Sequence, residues 1–319
     1  MTGLADAAVW ASALTKRFAS TLAVDHVDFR VEPGELFGFI GPDGAGKSTL
    51  FRLLVTLYTP DEGEARVLGL DPVKDLWRLR RKIGYMPGRF SLYPDLSVAE
   101  NLSFYASVFG TTVERQMATI EPIYRQLAPF AGRRASALSG GMKQKLALCC
   151  ALVHDPEILF LDEPTTGVDA VSRREFWDLL ARLREGGLTI VVSTPYMDEA
   201  SRCDRVALIQ HGRILRIDTP DAVCAAYPLP LLGVRGVDRL GMLDAMRMHP
   251  HAESVWPFGA SLHFTDRRAG ADPRQLASEL REWLAARNIE VEVTPIDPTI
   301  EDAFMLLMSQ QERAEVAAP

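Results

Sequence analysis

The sequence lacks any long apolar run. Within its 319 residues no stretch approaches the roughly 18 apolar residues of a membrane-spanning helix. The run from Leu146 to Val153 is typical of a short buried helix instead. The first residues also lack the basic and then apolar pattern of a signal peptide. We therefore expect a cytosolic protein whose role at any membrane is peripheral.

Cysteine is also scarce, and the 35 basic residues are outnumbered by 42 acidic ones. The four cysteines show no paired metal-ligand spacing, and such a low density suits a reduced compartment. The net charge of −7 provides no basic footprint, so nucleic acid is disfavoured as a partner. The apolar content of 47% and the charged content of 24% are those of an ordinary soluble globular protein. The length suffices for about two domains.

A glycine-rich loop lies between a predicted buried strand, residues 35–40, and a predicted helix with leucines at helical spacing. Its nine residues are candidates for phosphate binding: Gly41, Pro42, Asp43, Gly44, Ala45, Gly46, Lys47, Ser48 and Thr49. The glycines let successive backbone N–H groups point inward at the positive end of the helix, where they attract phosphate oxygens. We expect Lys47 to reach the outer phosphates and Ser48 to ligate Mg²⁺.

Two acidic residues end a second apolar strand. The run from Ile158 to Leu161 predicts a core strand of a parallel sheet. Asp162 and Glu163 follow at its carboxyl end, where ligands bind in open α/β sheets. Asp162 is predicted to hold the Mg²⁺ shell and Glu163 to accept a proton from an attacking water. The alternative is a plain acidic transition from strand to loop.

Two of three further positions, Ser139 and Phe18, each have a functional and a structural interpretation. Ser139 stands with Gly140 and Gly141 before an apolar helix, where bare amides favour phosphate, yet Ser139 would also serve as a simple N-cap. Phe18 would stack on a base or belong to the core at a strand edge. His211 lies in a hairpin signal and is interpreted as a turn residue.

Local signals place other elements. Ser97 followed by Glu100 predicts a capped helix over about residues 96–109, at the start of a helix-rich insertion spanning about residues 90–155. The sequence Asp-Glu-Gly-Glu at residues 61–64 predicts a turn.

Four motifs, taken in order, resemble the ATP-binding subunit of an ABC transporter over about residues 8–220, and in detail the ABC-2 exporter branch. They are the loop at residues 41–49, Leu138-Ser139-Gly140-Gly141, the strand ending in Asp162-Glu163, and Gly167-Val168-Asp169. The resemblance implies an α/β fold. Residues 1–220 would form an ABC-type P-loop NTPase cassette with a parallel sheet core, an antiparallel β subdomain and a helical subdomain at about residues 90–155.

The resemblance also implies a mechanism. Two cassettes would form a head-to-tail dimer with Mg²⁺ and ATP held between the loop of one and the Ser139 motif of the other. Lys47, Asp162 and Glu163 would be catalytic. The remaining nucleotide contacts would come from residues 41–49 of one cassette, from Phe18 as the adenine platform, and from Ser139, Gly140 and Gly141 of the other. Asp169 would link the two sites.

Two positions depart from the family pattern. Gly88 stands where the family has glutamine, and Pro195 stands where it has histidine. Loss of one preorganised donor costs about 10²- to 10³-fold in rate. We therefore expect this site to bind ATP and to hydrolyse it slowly, unless a neighbour such as Arg89 or Tyr196 substitutes.

The expected partners are ABC-2-type permease subunits at the cytoplasmic side of the inner membrane, and a second cassette. The weak site favours a heterodimer, with a homodimer as the competing arrangement. Residues 89–109 fall where such cassettes touch the permease.

One alternative is a regulatory cassette that clamps ATP and hardly hydrolyses it. Another is a soluble ABC ATPase acting on ribosomes or DNA, for which a second cassette, a long coiled coil or a basic face is expected and none is visible.

A second domain is predicted at residues 221–308. Its strand and helix signals follow the order β-α-β-β-α-β, which indicates a small ferredoxin-like α/β module. The pairs Asp272-Pro273 and Asp297-Pro298 are typical helix starts. The segment at residues 298–304 is interpreted as core packing, with a dimer contact or a regulatory role as the alternative. The polar, alanine-rich residues 309–319 are expected to be a disordered tail.

Overall fold

The computed structural model describes residues 7–88 and 92–317, without the side chains of 312 and 314–317. The chain divides into two compact units, Met1–Pro220 and Asp221–Pro319, called here the N-terminal and C-terminal units. Residues 89–91, which open the predicted permease-contacting segment and include Arg89, lie outside the described residues. In the described ranges, no helix combines the length and the apolar character that crossing a membrane requires.

A mixed six-stranded sheet forms the centre of the N-terminal unit, in the order β5-β6-β7-β3-β8-β9. Its strands are β3 (Leu36–Ile40), β5 (Ile83–Met86), β6 (Ile158–Asp162), β7 (Thr189–Thr194), β8 (Arg205–Gln210) and β9 (Arg213–Asp218). All neighbouring pairs are parallel except β8 with β9. Every residue of β3, β6 and β7 is buried, as expected for apolar strands covered on both faces. The carboxyl ends of these three strands meet at one edge.

An antiparallel sheet with the order β2-β1-β4 is the second layer. It contains β1 (Val9–Phe18), β2 (Thr21–Val31) and β4 (Glu62–Val67). The turn predicted at residues 61–64 is therefore wrong from residue 62 onward. Glu62 and Glu64 pair with Thr15 and Ser12 of β1, and this tertiary pairing overrides the local turn composition.

Six α-helices belong to the N-terminal unit as described. They are α1 (Lys47–Leu54), α2 (Leu76–Arg80), α3 (Val98–Val108), α4 (Met117–Tyr124), α5 (Gly140–Leu152) and α6 (Ala170–Glu185). Short 3₁₀ turns lie at Ala128–Phe130, Ala135–Ala137 and Met197–Arg202. The capping box predicted for α3 is confirmed, since the Ser97 side chain accepts from Glu100 N and the Glu100 carboxylate accepts from Ser97 N. Helices α3, α4 and α5 fall within the predicted helix-rich insertion.

Aromatic packing fixes the glycine-rich loop to the central sheet. Phe51 of α1 packs edge-to-face on Phe39 of β3, with 5.9 Å between ring centroids, and on Phe160 of β6, with 5.8 Å. All three rings are fully buried. Because such pairs combine a large buried area with a defined geometry, α1 is held in one position over the strands that flank the loop.

The C-terminal unit is a ferredoxin-like fold. After α7 (Pro220–Ala225), which begins at the boundary between the units, its elements are β10 (Leu231–Gly236), α8 (Arg239–Arg247), β11 (Ala252–Phe258), β12 (Ser261–Asp266), α9 (Pro273–Ala285), β13 (Val291–Pro295) and α10 (Ile300–Ala317). The strands are antiparallel in the order β11-β12-β10-β13. Apolar residues of α8 and α9 pack on one face of this sheet. The predicted β-α-β-β-α-β order is confirmed.

Helix α10 is fastened to the opposite face of that sheet. Leu262 and Phe264 of β12 lie in the core, so His263 between them faces the other way. Its Nδ1 lies 2.7 Å from Asp302 Oδ1 of α10. The helix continues to Ala317, instead of the disordered tail predicted from residue 309, since extending a helix that is already nucleated costs little.

Candidate functional site

The glycine-rich loop joins β3 to α1 in a conformation that requires its glycines. Gly44 has a φ of 79° and Gly46 a φ of 102°, both in the left-handed region. A Cβ atom at Gly46 would lie 2.3 Å from the carbonyl oxygen of Ala23, and one at Gly41 would lie 2.1 Å from that of Ile209. The loop is thus packed against two neighbouring segments and leads into the amino end of α1.

Lys47 closes this loop. Its side chain is almost completely buried, and Nζ donates to the carbonyl oxygens of Gly41 at 2.8 Å and Pro42 at 2.9 Å. Nζ also lies 3.2 Å from Glu163 Oε1. The ammonium group is therefore held by the loop itself, next to the carboxylate at the end of β6.

Three oxygen-bearing side chains meet at the carboxyl end of β6. Ser48 Oγ donates to Asp162 Oδ1 at 3.0 Å, and Ser193 Oγ of β7 donates to the same oxygen at 2.6 Å. Asp162 is buried. Hydroxyl and carboxylate oxygens are the ligands that Mg²⁺ prefers, so Ser48 and Asp162 fit that ion. Among the described residues no group of three or more His, Cys, Asp or Glu side chains would hold a metal alone, so phosphate and water would supply the other ligands.

Glu163 adopts a strained backbone conformation. Its φ of 50° is unusual for a residue other than glycine. The strain is held by Ser193, whose backbone oxygen accepts from Glu163 N at 3.0 Å and whose Oγ lies 3.1 Å from the same nitrogen. The carboxylate remains partly exposed and reaches Lys47. Strain of this kind concentrates at functional sites, where the surrounding structure maintains it.

The two positions that depart from the family pattern border this site. A Cβ atom at Gly88 would lie 3.0 Å from the backbone oxygen of Asp162 and 3.8 Å from its Oδ2. On the other side, the carbonyl oxygen of Thr194 accepts from Gly41 N at 3.3 Å, and Pro195 follows directly. A side chain at residue 88 would therefore lie against Asp162, and Pro195 adjoins the residue that bonds to the loop.

Ser139 and Asp169 act as helix caps. The Ser139 side chain accepts from Met142 N at the start of α5, and Asp169 Oδ1 accepts from Val171 N and Ser172 N at the start of α6. The bond from the backbone N–H of Ser172 holds the pKa of Asp169 below its usual value. The two helix starts are adjacent, because a Cβ atom at Gly141 would lie 2.6 Å from Ser172 Oγ.

A cavity of about 260 Å³ opens over the loop. Its lining consists of Thr21, Leu22, Ala23, Gly44, Gly46, Lys47, Ser48, Thr49, Glu163 and His211. The structure thus brings together the predicted residues Lys47, Ser48, Thr49 and Glu163. Phe18, Ser139 and Asp169 are not among these lining residues. Phe18 is 39% exposed and packs edge-on against Tyr58, with 5.4 Å between ring centroids.

Sequence reasoning missed a buried polar cluster behind the site. Glu199 is buried and accepts from the hydroxyls of Thr165, in the loop after β6, and Thr194, at the end of β7. It also accepts from Arg173 Nε of α6 at 3.1 Å. This carboxylate therefore ties the segment after Glu163 to the segment before Pro195. Its signal in the sequence was weak, since it is one of several acidic residues in an exposed-looking stretch.

We expect Glu199→Ala to lower the free energy of unfolding by about 3 kcal/mol, because it leaves a guanidinium group and two hydroxyls without their buried partner. Urea unfolding would measure the change. Asp198→Ala is the matched control, since Asp198 is exposed and pairs with the same Arg173 at 3.2 Å. Its loss should cost at most about 1 kcal/mol. Equal effects of the two substitutions would contradict the assignment.

The closed loop before a helix, the buried Lys47 and the acidic end of β6 together define a P-loop nucleotide-binding cassette. Residues 24–166 match the family described as ABC transporter. The chain belongs to this family.

Known relatives and solved structures support this family assignment. The chain is 34% identical over 305 residues to the Nod factor export ATP-binding protein I of Rhizobium etli, covering 94% of this chain and 93% of that protein. It is 45% identical over 216 residues to the probable multidrug ABC transporter ATP-binding protein YbhF of Escherichia coli, covering 66% of this chain. It spans only 37% of the length of YbhF. The dimeric cassette MJ0796 in a post-hydrolysis state with ADP and Pi superimposes with a TM-score of 0.60 at 27% identity, covering 66% of this chain and 98% of that chain.

Proposed function

We propose that this chain is the ATP-hydrolysing subunit of an exporter and powers an ABC-2-type permease at the cytoplasmic side of the inner membrane. The observation that carries the proposal is the meeting of Lys47, Ser48, Asp162 and Glu163 at one edge of the sheet. The Rhizobium etli relative is a Nod factor export ATP-binding protein, which supports a role in export.

The loop binds the triphosphate in this proposal. The backbone N–H groups at the start of α1 and the ammonium of Lys47 neutralise the β- and γ-phosphates. Ser48 and Asp162 would hold Mg²⁺, which would supply positive charge to stabilise the charge that develops on the phosphates. Ser193 keeps the Asp162 carboxylate in place through its 2.6 Å hydrogen bond.

Glu163 accepts the proton of the attacking water. In the described contacts its carboxylate is paired with Lys47 at 3.2 Å. When a γ-phosphate draws the Lys47 ammonium to itself, the Glu163 carboxylate is released. It can then bond to a water molecule that lies between the carboxylate and the γ-phosphate. Nucleotide binding and activation of the base are thereby coupled through one lysine.

The helix starts at Ser139 and Asp169 serve a second cassette. Ser139, Gly140 and Gly141 contact the γ-phosphate held by the partner's loop, and Asp169 lies between the two sites. Phe18 supplies the platform for adenine. The dimeric state of the MJ0796 structure supports this arrangement. ATP then closes the dimer and hydrolysis reopens it, so that the movement drives the permease.

A groove of about 610 Å³ fits a segment of the permease. Its apolar wall includes Trp77, Tyr105, Val108 and Phe109, and Trp77 is 72% exposed. Arg80 and Arg81 also line it. An amphipathic permease segment with an acidic residue complements both the apolar wall and the positive charge.

Affinity purification of the tagged chain from detergent-solubilised membranes of its own cells tests the proposal. We expect recovery of an ABC-2-type permease, and ATP hydrolysis by the complex. Val108→Glu should remove the permease without changing ATP binding, because it places a charge on the apolar wall. Val237→Glu is the matched control, since Val237 is fully exposed in the C-terminal unit. Recovery with ribosomes and no permease would contradict the proposal.

A second candidate is a cassette that clamps ATP and hydrolyses it weakly beside an active partner. The specific observation is that Gly88 and Pro195 border Asp162 and Gly41 without offering a polar side chain. The same purification distinguishes the assemblies. A different cassette in the complex would support this heterodimer, and recovery of only this chain with its permease would support the homodimer.

A further inference from the structure

The tip of the β8–β9 hairpin is part of the cavity wall. His211 lines the cavity together with the loop residues Lys47, Ser48 and Thr49. It belongs to none of the four motifs. The φ of 48° at His211 and the φ of 76° at Gly212 give the hairpin a tight turn. The imidazole of His211 borders the same cavity as the phosphate-binding residues.

This hairpin tip is fastened to the glycine-rich loop. Gly212 N donates to the carbonyl oxygen of Ala45 at 2.9 Å, and the carbonyl oxygen of Gly212 accepts from Asp25 N at 2.9 Å. A Cβ atom at Gly212 would lie 2.9 Å from the carbonyl oxygen of Ala23. The backbone carrying His211 is therefore fixed relative to the loop, as a ligand contact requires.

The imidazole ring is also oriented. The Nε2 atoms of Gln210 and His211 lie 3.1 Å apart, and Gln210 is buried in the sheet. With Nε2 engaged by this neighbour, Nδ1 is the ring nitrogen that faces no hydrogen-bonding partner in the described contacts. In the neutral ring with Nε2 as acceptor, Nδ1 carries the proton and is a donor.

We propose that His211 is a nucleotide-binding residue that donates from Nδ1 to an α-phosphate oxygen of ATP. The inference rests on the proposed function of this cavity. Lys47 and Ser48 account for the β- and γ-phosphates, which leaves the α-phosphate for a further donor on the cavity wall, where His211 lies. Because the α-phosphate is common to ATP and ADP, His211 contributes equally to the binding of both.

Binding of Mg-ATP and Mg-ADP to the full-length chain, measured by isothermal titration calorimetry, tests the proposal. His211→Gly removes the ring and tolerates the positive φ. We expect it to raise the Kd of both nucleotides about 10-fold, the size of one hydrogen bond to a charged group. His211→Asn keeps a side-chain hydrogen-bond donor, and asparagine tolerates this backbone conformation. Its nucleotide affinity should therefore lie between those of His211→Gly and the unaltered chain.

His26→Gly is the matched control, because His26 has the same φ of 48° and lies on β2 outside the lining residues of this cavity. It should leave both Kd values unchanged. Unchanged Kd values for His211→Gly, or a loss for ATP alone, would overturn the inference while leaving the proposed function intact. Absence of nucleotide binding by the unaltered chain would instead refute the proposed function.

Discussion

Replacing Glu163 with glutamine should lower steady-state Mg-ATP hydrolysis by about 10²- to 10⁴-fold, the usual contribution of a general base. The amide has nearly the same shape as the carboxylate and cannot accept the proton. Nucleotide affinity should change little, because the phosphates are bound by the loop and by Lys47. The measurement is phosphate release by the purified chain, with ATP binding followed in parallel.

Lys47→Ala provides the contrasting variant. It removes the group that bonds to Gly41 and Pro42 and that faces Glu163. It should therefore lose both ATP binding and hydrolysis, whereas Glu163→Gln loses hydrolysis alone. Turnover by Glu163→Gln at the unaltered rate would show that another group activates the water.

Restoring the two missing side chains should accelerate the reaction. We expect Gly88→Gln combined with Pro195→His to raise ATP turnover by about 10²-fold, since each substitution returns a polar group of the kind that stabilises the transition state. The glutamine would stand beside Asp162, and the histidine would follow Thr194, which bonds to Gly41. Single-turnover kinetics would separate this gain from any change in binding.

The controls are Gly88→Ala and Pro195→Ala. Alanine at residue 88 introduces the Cβ atom 3.0 Å from the Asp162 backbone oxygen and so measures the steric cost alone. Rapid turnover by the unaltered chain, with no gain in the double variant, would show that the site functions without either side chain. The weak-site hypothesis and the heterodimer derived from it would then fall together.

Much of the architecture followed from local patterns. The buried runs of β3 and β6 are visible as apolar segments, and the strand-loop-helix context predicts the position of Lys47 and Ser48. The order of elements also indicated the ferredoxin-like unit, because each element is short and bounded by clear turn or cap residues. These features depend on neighbours in sequence, which is why they could be predicted.

The errors arose where distant segments decide the structure. Glu62 and Glu64 are strand residues because β1 pairs with them, although their composition is typical of a turn. Ser193 and Glu199 matter to the site through partners about 30 residues away, at Asp162 and Thr165. No local pattern marks such contacts. The turn predicted at His211 is confirmed, but its place in the cavity wall depends on the distant glycine-rich loop.

The backbone of Glu163 places stability and turnover in opposition. A φ of 50° costs a residue with a Cβ atom about 1 kcal/mol or more, and glycine would not bear that cost. Glu163→Gly would therefore relieve the backbone strain and at the same time remove the carboxylate. A cassette no longer required to hydrolyse ATP would gain stability by replacing Glu163 with glycine. A chain that hydrolyses ATP must keep Glu163 and bear the backbone strain.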